Sequence, residues 1–291
     1  DKYGMCVIKL FDEETSDKTV ESMFNEINES AVLLKGFQEF PIHPKHPASW
    51  EKHNWPTKGK FLVRDPAFTQ QAFNNRTSSI LYQIYREIFG REDLTCSIDN
   101  WGLFRGTKNL IFAPSEYEAW LTKRTTARTH FENHYRRLHG EEPPADDISM
   151  YNIRFLKNDK GEDIVMMDRP DWRHCLKPHW DLNPWKWLKE CKNGEPHQYQ
   201  SLVALNECPE PVGGFKCLPG SHKFLDEWCA EHRAPHNKRK TVRVPEDDQM
   251  LSRLQHIPLR KGEMVIWNSA LVHCNFANYS DQMRLIQFIR M

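Results

Sequence analysis

After residue 146 the chain breaks into short runs rich in β-branched and aromatic residues: ISMYNIRFL (148–156), YQSLVAL (199–205), GFKCL (214–218), EMVIW (263–267) and MRLIQFI (283–289). Gly, Pro, Asn or Asp interrupts between them. Branched and ring side chains pack well on a pleated surface, so these runs read as strands and the interruptions as turns. Many short strands at modest spacing suggest a sandwich, a jelly roll or a barrel. The first half has a different texture. YGMCVIKLF (3–11) is expected to be one short strand, but apolar residues then recur at helical spacing. Val20, Met23, Phe24 and Ile27 mark a helix over 16–27 with Ser16 as its N-cap. Ile80, Leu81, Ile84, Tyr85 and Ile88 mark a second over 74–90, with Gly90 as its left-handed stop. A third runs from 114 to 139 and opens on Ser115 and Glu118 as a capping box. The proline pair within 140–144 is the best boundary. Helices followed by strands give an α+β fold. The expectation is one domain over 1–291, with 1–145 as mainly helical support and 146–291 as the strand-rich core.

Charge excludes some roles. The 291 residues carry 40 Lys and Arg against 40 Asp and Glu, so nothing points to a nucleic-acid or membrane-surface partner. No obligatory protein partner is evident either. The one basic run, 236–243, reads as a solvated loop. None of the eight cysteines forms a C-x-x-C pair. A chain of this length needs no covalent staples, so they are expected to be reduced thiols in an intracellular, cytoplasmic protein. The glycosylation triplets starting at Asn28, Asn75 and Asn278 are then chance matches. No apolar run approaches the roughly 20 residues of a membrane span. The chain starts at Asp1 rather than Met, which is compatible with a trimmed leader.

The chemistry concentrates in the second half. His179 and Asp181 lie two apart, and on a strand residues i and i+2 point to one side. Two histidines and one carboxylate on one face of an ion leave its other face open, which is the donor set of non-heme iron oxygenases. His273, just after the 263–267 strand, is the candidate third donor. Eleven residues later Arg284 sits among Met283, Leu285, Ile286, Phe288 and Ile289. A guanidinium in such surroundings is costly to bury without an anion, and its planar fork suits a carboxylate. Asn275 shares the side of His273 and is a candidate to hold the same group. The competing reading pairs Arg284 with Asp281 on a surface strand.

In this order, His179-x-Asp181, then GGFKCLPGSH (213–222), then His273 and Arg284, the chain resembles the phytanoyl-CoA dioxygenase-like family. The opening YGMCVIKLFDEET is similar to that family's first strand and helix. The resemblance implies a double-stranded β-helix (a jelly roll, cupin-like) braced by N-terminal helices. It implies iron(II), 2-oxoglutarate and O2 as cofactors, with His179, Asp181 and His273 as the metal ligands and catalytic centre. Arg284 would hold the distal carboxylate of 2-oxoglutarate. A second donor usually helps; Arg154, Asn152 and Lys157 each offer one. The LPGSH loop would be a structural turn, with His222 supporting it rather than ligating. The implied reaction couples oxidative decarboxylation of 2-oxoglutarate to oxidation, most simply hydroxylation, of a small organic metabolite, releasing succinate and CO2. Asp181 argues against halogenation, where a small residue replaces the carboxylate. Trp185 and Trp187, in the long insertion 183–200, are candidate walls of the substrate pocket, and Trp101 and Arg105 are further candidates for substrate contact.

Other readings stand beside this one. An oxidative cyclase or desaturase acting on an amino-acid-derived natural product would use the same centre. A non-catalytic jelly-roll binding module would keep the motif without the chemistry. Acyl-CoA, its phosphates met by the basic run, and a small amphoteric metabolite are both conceivable substrates. His130 and His134 share a helical face, but Phe131 occupies the place where H-E-x-x-H zinc sites carry glutamate, so they read as solvated. His43 and His46, in a proline-rich loop, read the same way.

Overall fold

A computed structural model describes residues 2–35, 41–52, 54–58, 62–192, 198–234 and 241–291. Most of the basic run, 236–240, lies outside the described residues, as does the 193–197 part of the insertion. The first half contains β1 (Met5–Lys9), α1 (Glu13–Lys35), β2 (Thr57–Lys58), β3 (Leu62–Pro66), α2 (Gln70–Arg76), α3 (Ser79–Phe89), β4 (Asn100–Phe104), β5 (Leu110–Phe112) and α4 (Pro114–His139). The second contains β6 (Arg154–Lys157), β7 (Asp163–Met167), β8 (His179–Trp180), α5 (Pro184–Lys192), β9 (Tyr199–Ala204), β10 (Gly214–Cys217) and α6 (Leu225–Glu231). It closes with β11 (Val242–Arg243), β12 (Gln255–Ile257), β13 (Glu263–Asn268), β14 (His273–Phe276) and β15 (Arg284–Phe288). A large sheet runs β1-β13-β9-β15-β4-β3-β2, a smaller one β11-β8-β14-β10-β12, and an outlying one β5-β7-β6. The chain is thus a mixture of helices and antiparallel sheets.

Period-two alternation decides what each face of the large sheet touches. On β13, Met264 and Ile266 pack with Met23, Phe24 and Ile27 of α1 and Leu81 and Tyr85 of α3. Val265 and Trp267 pack instead with Phe215 and Cys217 of β10 in the smaller sheet. β9 and β15 divide the same way: Val203 and Leu285 go to the helices, Leu202, Ala204 and Ile286 to the other sheet. Each such buried side chain contributes about 1.5–3 kcal/mol, before the entropy of ordering it. The Phe215 and Trp267 rings, 4.6 Å apart, join the two sheets. The outer face of the smaller sheet is closed by α5 and α6, through Trp180, Val272, Trp187, Leu225 and Trp228. Close approach of β4 to β15 requires Gly102, where a Cβ would lie 2.5 Å from Ile286 Cγ1.

Several local expectations shift. α1 starts at Glu13, with Asp12 Oδ1 accepting the Thr15 N–H at 2.7 Å, so Asp12 rather than Ser16 caps it. The helix expected over 74–90 is two helices broken at Thr77 and Ser78; Gly90 does take the left-handed conformation, at φ 64°. α4 is entered through Ala113, whose N–H donates to Glu116 Oε2, so Ser115 and Glu118 are not its capping pair. The region 1–145, expected as mainly helical support, also carries strands. It supplies β2, β3, β4 and β5, and β4 pairs with β15 in the middle of the large sheet. Cys6, Cys96, Cys175, Cys208, Cys217, Cys229 and Cys274 are free thiols. No helix among the described residues is long and apolar enough to cross a membrane.

Candidate active site

Two strands, β8 and β14, bring the donors together. β14 pairs antiparallel with the two-residue β8, placing His273 directly opposite His179, and their rings are 4.7 Å apart. Trp180 turns outward into the aromatic cluster under α5 and α6, so its neighbour His179 turns inward. Asp181 comes just after β8 ends. Its Oδ1 lies 3.2 Å from His179 Nε2 and its Oδ2 3.5 Å from His273 Nε2. His179, Asp181 and His273 form the group of potential ligands found among the described residues, their donor atoms all within 4.8 Å of one another.

Both imidazoles are fixed from behind. His179 Nδ1 donates to the Lys177 carbonyl at 2.7 Å and His273 Nδ1 to the Leu271 carbonyl at 3.0 Å. A carbonyl only accepts, so each Nδ1 carries the proton, and each neutral ring aims its Nε2 lone pair at the Asp181 carboxylate. With both rings neutral, no donor lies between the two Nε2 atoms and the carboxylate, an arrangement that favours a cation among them. Without a metal a proton can take the cation's place, and the shifts in protonation show the same demand for positive charge. Burial pushes the His179 imidazole toward its neutral form, but the Asp181 carboxylate outweighs it and raises the pKa. Burial pushes the Asp181 carboxyl up, yet the two imidazoles hold it well below the usual carboxylate range. Two Nε2 donors and one carboxylate, open toward a cavity, fit a facial iron(II) site.

That cavity, about 510 Å³, lies between the two sheets and is lined by all three of these residues together with Arg284. Its walls include Phe104, Leu202, Phe215, Trp267, Ile286 and Phe288, and Asp99, Thr241 and Arg290 line it as well. The period of two along β15 places Arg284, Ile286, Phe288 and then Arg290 on the cavity side. Arg284 is 2% exposed. Its Nε and Nη1 have no hydrogen-bond partner, and its guanidinium stacks 4.5 Å from the centre of the Phe104 ring. The Asp281 pairing does not form. Burial pushes the guanidinium pKa down, with the Cys208 thiol opposing. A desolvated cation with unspent N–H groups facing a cavity is a site for a carboxylate.

Other expected residues are placed elsewhere. Asn275 lines the cavity, but its amide is spent: Oδ1 accepts the Leu176 N–H at 2.7 Å and Nδ2 donates to the His174 carbonyl at 3.1 Å. It ties down the segment entering β8. Arg154 is exposed on the outlying sheet and donates to Asn109 Oδ1. Asn152 is the left-handed residue before that strand (φ 45°), bonded to Asp168. Lys157, on the same strand, pairs with Asp163. None of the three lines the cavity. Trp185 donates to the Cys229 carbonyl and Trp187 packs beneath the smaller sheet, both on its outer face. Trp101 is fully buried on the helix side and donates to Glu26 Oε2 at 2.6 Å. Arg105 lies 4.8 Å from both the Trp55 and the Trp172 ring and donates to the Trp50 carbonyl. The LPGSH loop braces β14, with Ser221 Oγ accepting the Val272 N–H at 2.9 Å. His46 pairs with Glu116, and His130 and His134 sit on the outer helix α4. Sequence reading missed Gln200, whose Nε2 donates to Asp181 Oδ2 at 3.1 Å. It also missed Phe104, Ile286 and Phe288 as cavity walls, although alternation from Arg284 points to the last two.

The profile of the family described as Phytanoyl-CoA dioxygenase (PhyH) matches residues 115–286. A Dictyostelium discoideum protein provisionally named a phytanoyl-CoA dioxygenase is 23% identical over 302 residues, spanning all of this chain and 73% of that one. A Salmonella typhimurium LT2 crystal structure, provisionally described as an oxidoreductase, shares 11% identity at a TM-score of 0.51, over 99% of this chain and 67% of that one. HygX from Streptomyces hygroscopicus, solved with nickel and 2-oxoglutarate, shares 13% identity at a TM-score of 0.43, over 99% and 83%. The family profile spans more than half of the residues, the motif included, and the chain therefore belongs to the phytanoyl-CoA dioxygenase family of non-heme iron, 2-oxoglutarate-dependent oxygenases.

Proposed function

We propose that this oxygenase hydroxylates a small organic metabolite, consuming 2-oxoglutarate and O2 and releasing succinate and CO2. In this reading His179, Asp181 and His273 hold iron(II), and Arg284 grips the distal carboxylate of 2-oxoglutarate. The observation that carries it is the buried Arg284, two of its nitrogens unpartnered, facing the same cavity as the three converging acceptors. Bound iron(II) supplies the site at which 2-oxoglutarate and dioxygen react. The chain does the rest. The Lys177 and Leu271 carbonyls hold the imidazoles in the tautomer that leaves Nε2 to ligate. Phe104, Leu202, Phe215 and Trp267 keep water away from the reacting centre. The space beyond, toward Ile286, Phe288 and the charged Asp99 and Arg290, takes the substrate. An apolar body with a polar end suits that lining. Both halves of the chain build this unit as a single domain whose two facing sheets are a double-stranded β-helix.

Succinate formation tests this reading. With iron(II), O2 and 2-oxoglutarate the protein should release succinate, and a substrate of the right class should raise the rate. His179→Ala and His273→Ala should each abolish it. Full turnover by either variant refutes the ligand assignment. A protein that binds no divalent metal at this centre is a binding module instead.

A further inference from the structure

We infer that Gln200 and Trp267 form a positioning relay that fixes the Asp181 carboxylate for the metal; the inference rests on the ligand assignment above. The two histidines are each anchored by the backbone carbonyl two residues before them. Asp181 has no such anchor. It follows a strand only two residues long, and 42% of its side chain is exposed. A carboxylate on that short lead-in has several rotamers, and only one points both oxygens at the two Nε2 atoms.

Gln200 supplies the constraint. Its Nε2 donates to Asp181 Oδ2 at 3.1 Å. Its Oε1 accepts from Trp267 Nε1 at 2.8 Å. An indole N–H can only donate, so the Gln200 oxygen must face Trp267 and its NH2 must face Asp181. The usual ambiguity of an amide's orientation is therefore removed by chemistry. The backbone enforces the same pairing: Gln200 on β9 lies directly across from Trp267 on β13. Trp267 is itself held by the Phe215 ring at 4.6 Å and lies 5.2 Å from the His273 ring. The relay thus ties the carboxylate to the same packed wall that carries the second imidazole. Gln200 touches a ligand rather than the metal, so it acts by orienting Asp181. Hydrogen bonds of this kind to ligating groups are worth about 10- to 100-fold in metal affinity or activity.

The test is Mn(II) binding to the protein without 2-oxoglutarate, followed by the electron paramagnetic resonance of free Mn(II). Gln200→Leu should weaken binding about 10-fold, and Trp267→Phe, which keeps a ring but removes the N–H, should weaken it less. If Trp267 acts through Gln200, the double variant binds no more weakly than Gln200→Leu alone. The visible spectrum of the Co(II) protein should change in Gln200→Leu, a signature that simple loss of packing would not give. Unfolding of the metal-free proteins shows which variants fold, and Trp267→Phe carries the test if Gln200→Leu does not. His179→Ala separates the two claims. If it abolishes Mn(II) binding while Gln200→Leu, or Trp267→Phe in its place, stays within twofold of the parent, the relay is wrong and the ligand assignment stands. If His179→Ala binds Mn(II) as the parent does, the ligand assignment is wrong and the relay falls with it.

Discussion

Arg284 is the residue whose surroundings and purpose most conflict. A guanidinium buried beside an aromatic ring, with Nε and Nη1 unpaired, costs folding free energy that a leucine would not. The cost is accepted where a carboxylate completes the pair. Arg284→Leu should therefore act in opposite directions on stability and function. The metal-free protein should unfold at an equal or higher denaturant concentration, while 2-oxoglutarate binding in the presence of Mn(II) should weaken about 100-fold, or about 2.7 kcal/mol. Titration calorimetry and urea unfolding measure the two arms. Arg105 makes the contrast. It is an arginine between two tryptophans and away from the cavity. Arg105→Met should lose about 0.5–2 kcal/mol of stability and leave the KM for 2-oxoglutarate and for substrate unchanged. A raised substrate KM would return Arg105 to the pocket.

At the scale of elements, β14 holds the site together, since it carries His273 and pairs with β8 and β10. Two features set its position. Gly213, at φ 79°, leaves room for it: a Cβ there would lie 2.5 Å from the Phe276 carbonyl oxygen. Asn275 ties it to residues 174 and 176. Gly213→Ala combines backbone strain with displacement of β14, so it should destabilise by about 2 kcal/mol or more and weaken metal binding as well. Asn275→Ala leaves the Leu176 N–H without its acceptor and should cost about 1–3 kcal/mol. Thermal unfolding and Mn(II) titration on each variant check both effects. The strands that were legible in sequence, β1, β9, β10, β13 and β15, are those whose apolar residues alternate or run unbroken, whereas of the run 148–156 only the end is strand, after a 3-10 turn at Ser149–Tyr151. β4 was not legible because Asn100 and Gly102 interrupt it, and Gly102 is there for Ile286 of its partner strand. At β8 the spacing of His179 and Asp181 suggested a strand through both, but the strand ends at Trp180: two residues carry no period, and pairing with β14 and β11 makes them one. Trp101, expected at the substrate, packs from β4 into the cluster on the helix side.

At the scale of the whole molecule, the site exists because two sheets from both halves of the chain face each other. The candidate ligands come from the smaller sheet and the residue after β8, the arginine from the larger one, and the aromatic walls from both. His179, Asp181, His273 and Arg284 were readable because their chemistry is written in residue types and order. Gln200 was not, and Asn275 was expected in a different role, since both take their roles from partners distant in the chain. An interface of this kind makes cofactor binding a folding contribution. With Mn(II) present, 2-oxoglutarate at 100 times its Kd should add about 2.7 kcal/mol to stability, seen as a higher unfolding midpoint. Without metal, or in His179→Ala, that increment should largely vanish. An equal increment with and without metal would separate the two sites.

The most direct measurement is a crystal structure of the protein with Mn(II) and 2-oxoglutarate. The expected result is one metal on His179 Nε2, His273 Nε2 and an Asp181 oxygen, with the keto-acid's distal carboxylate paired to the Arg284 guanidinium. Metal bound away from these three residues, or a distal carboxylate that leaves Arg284 unpaired, would contradict it.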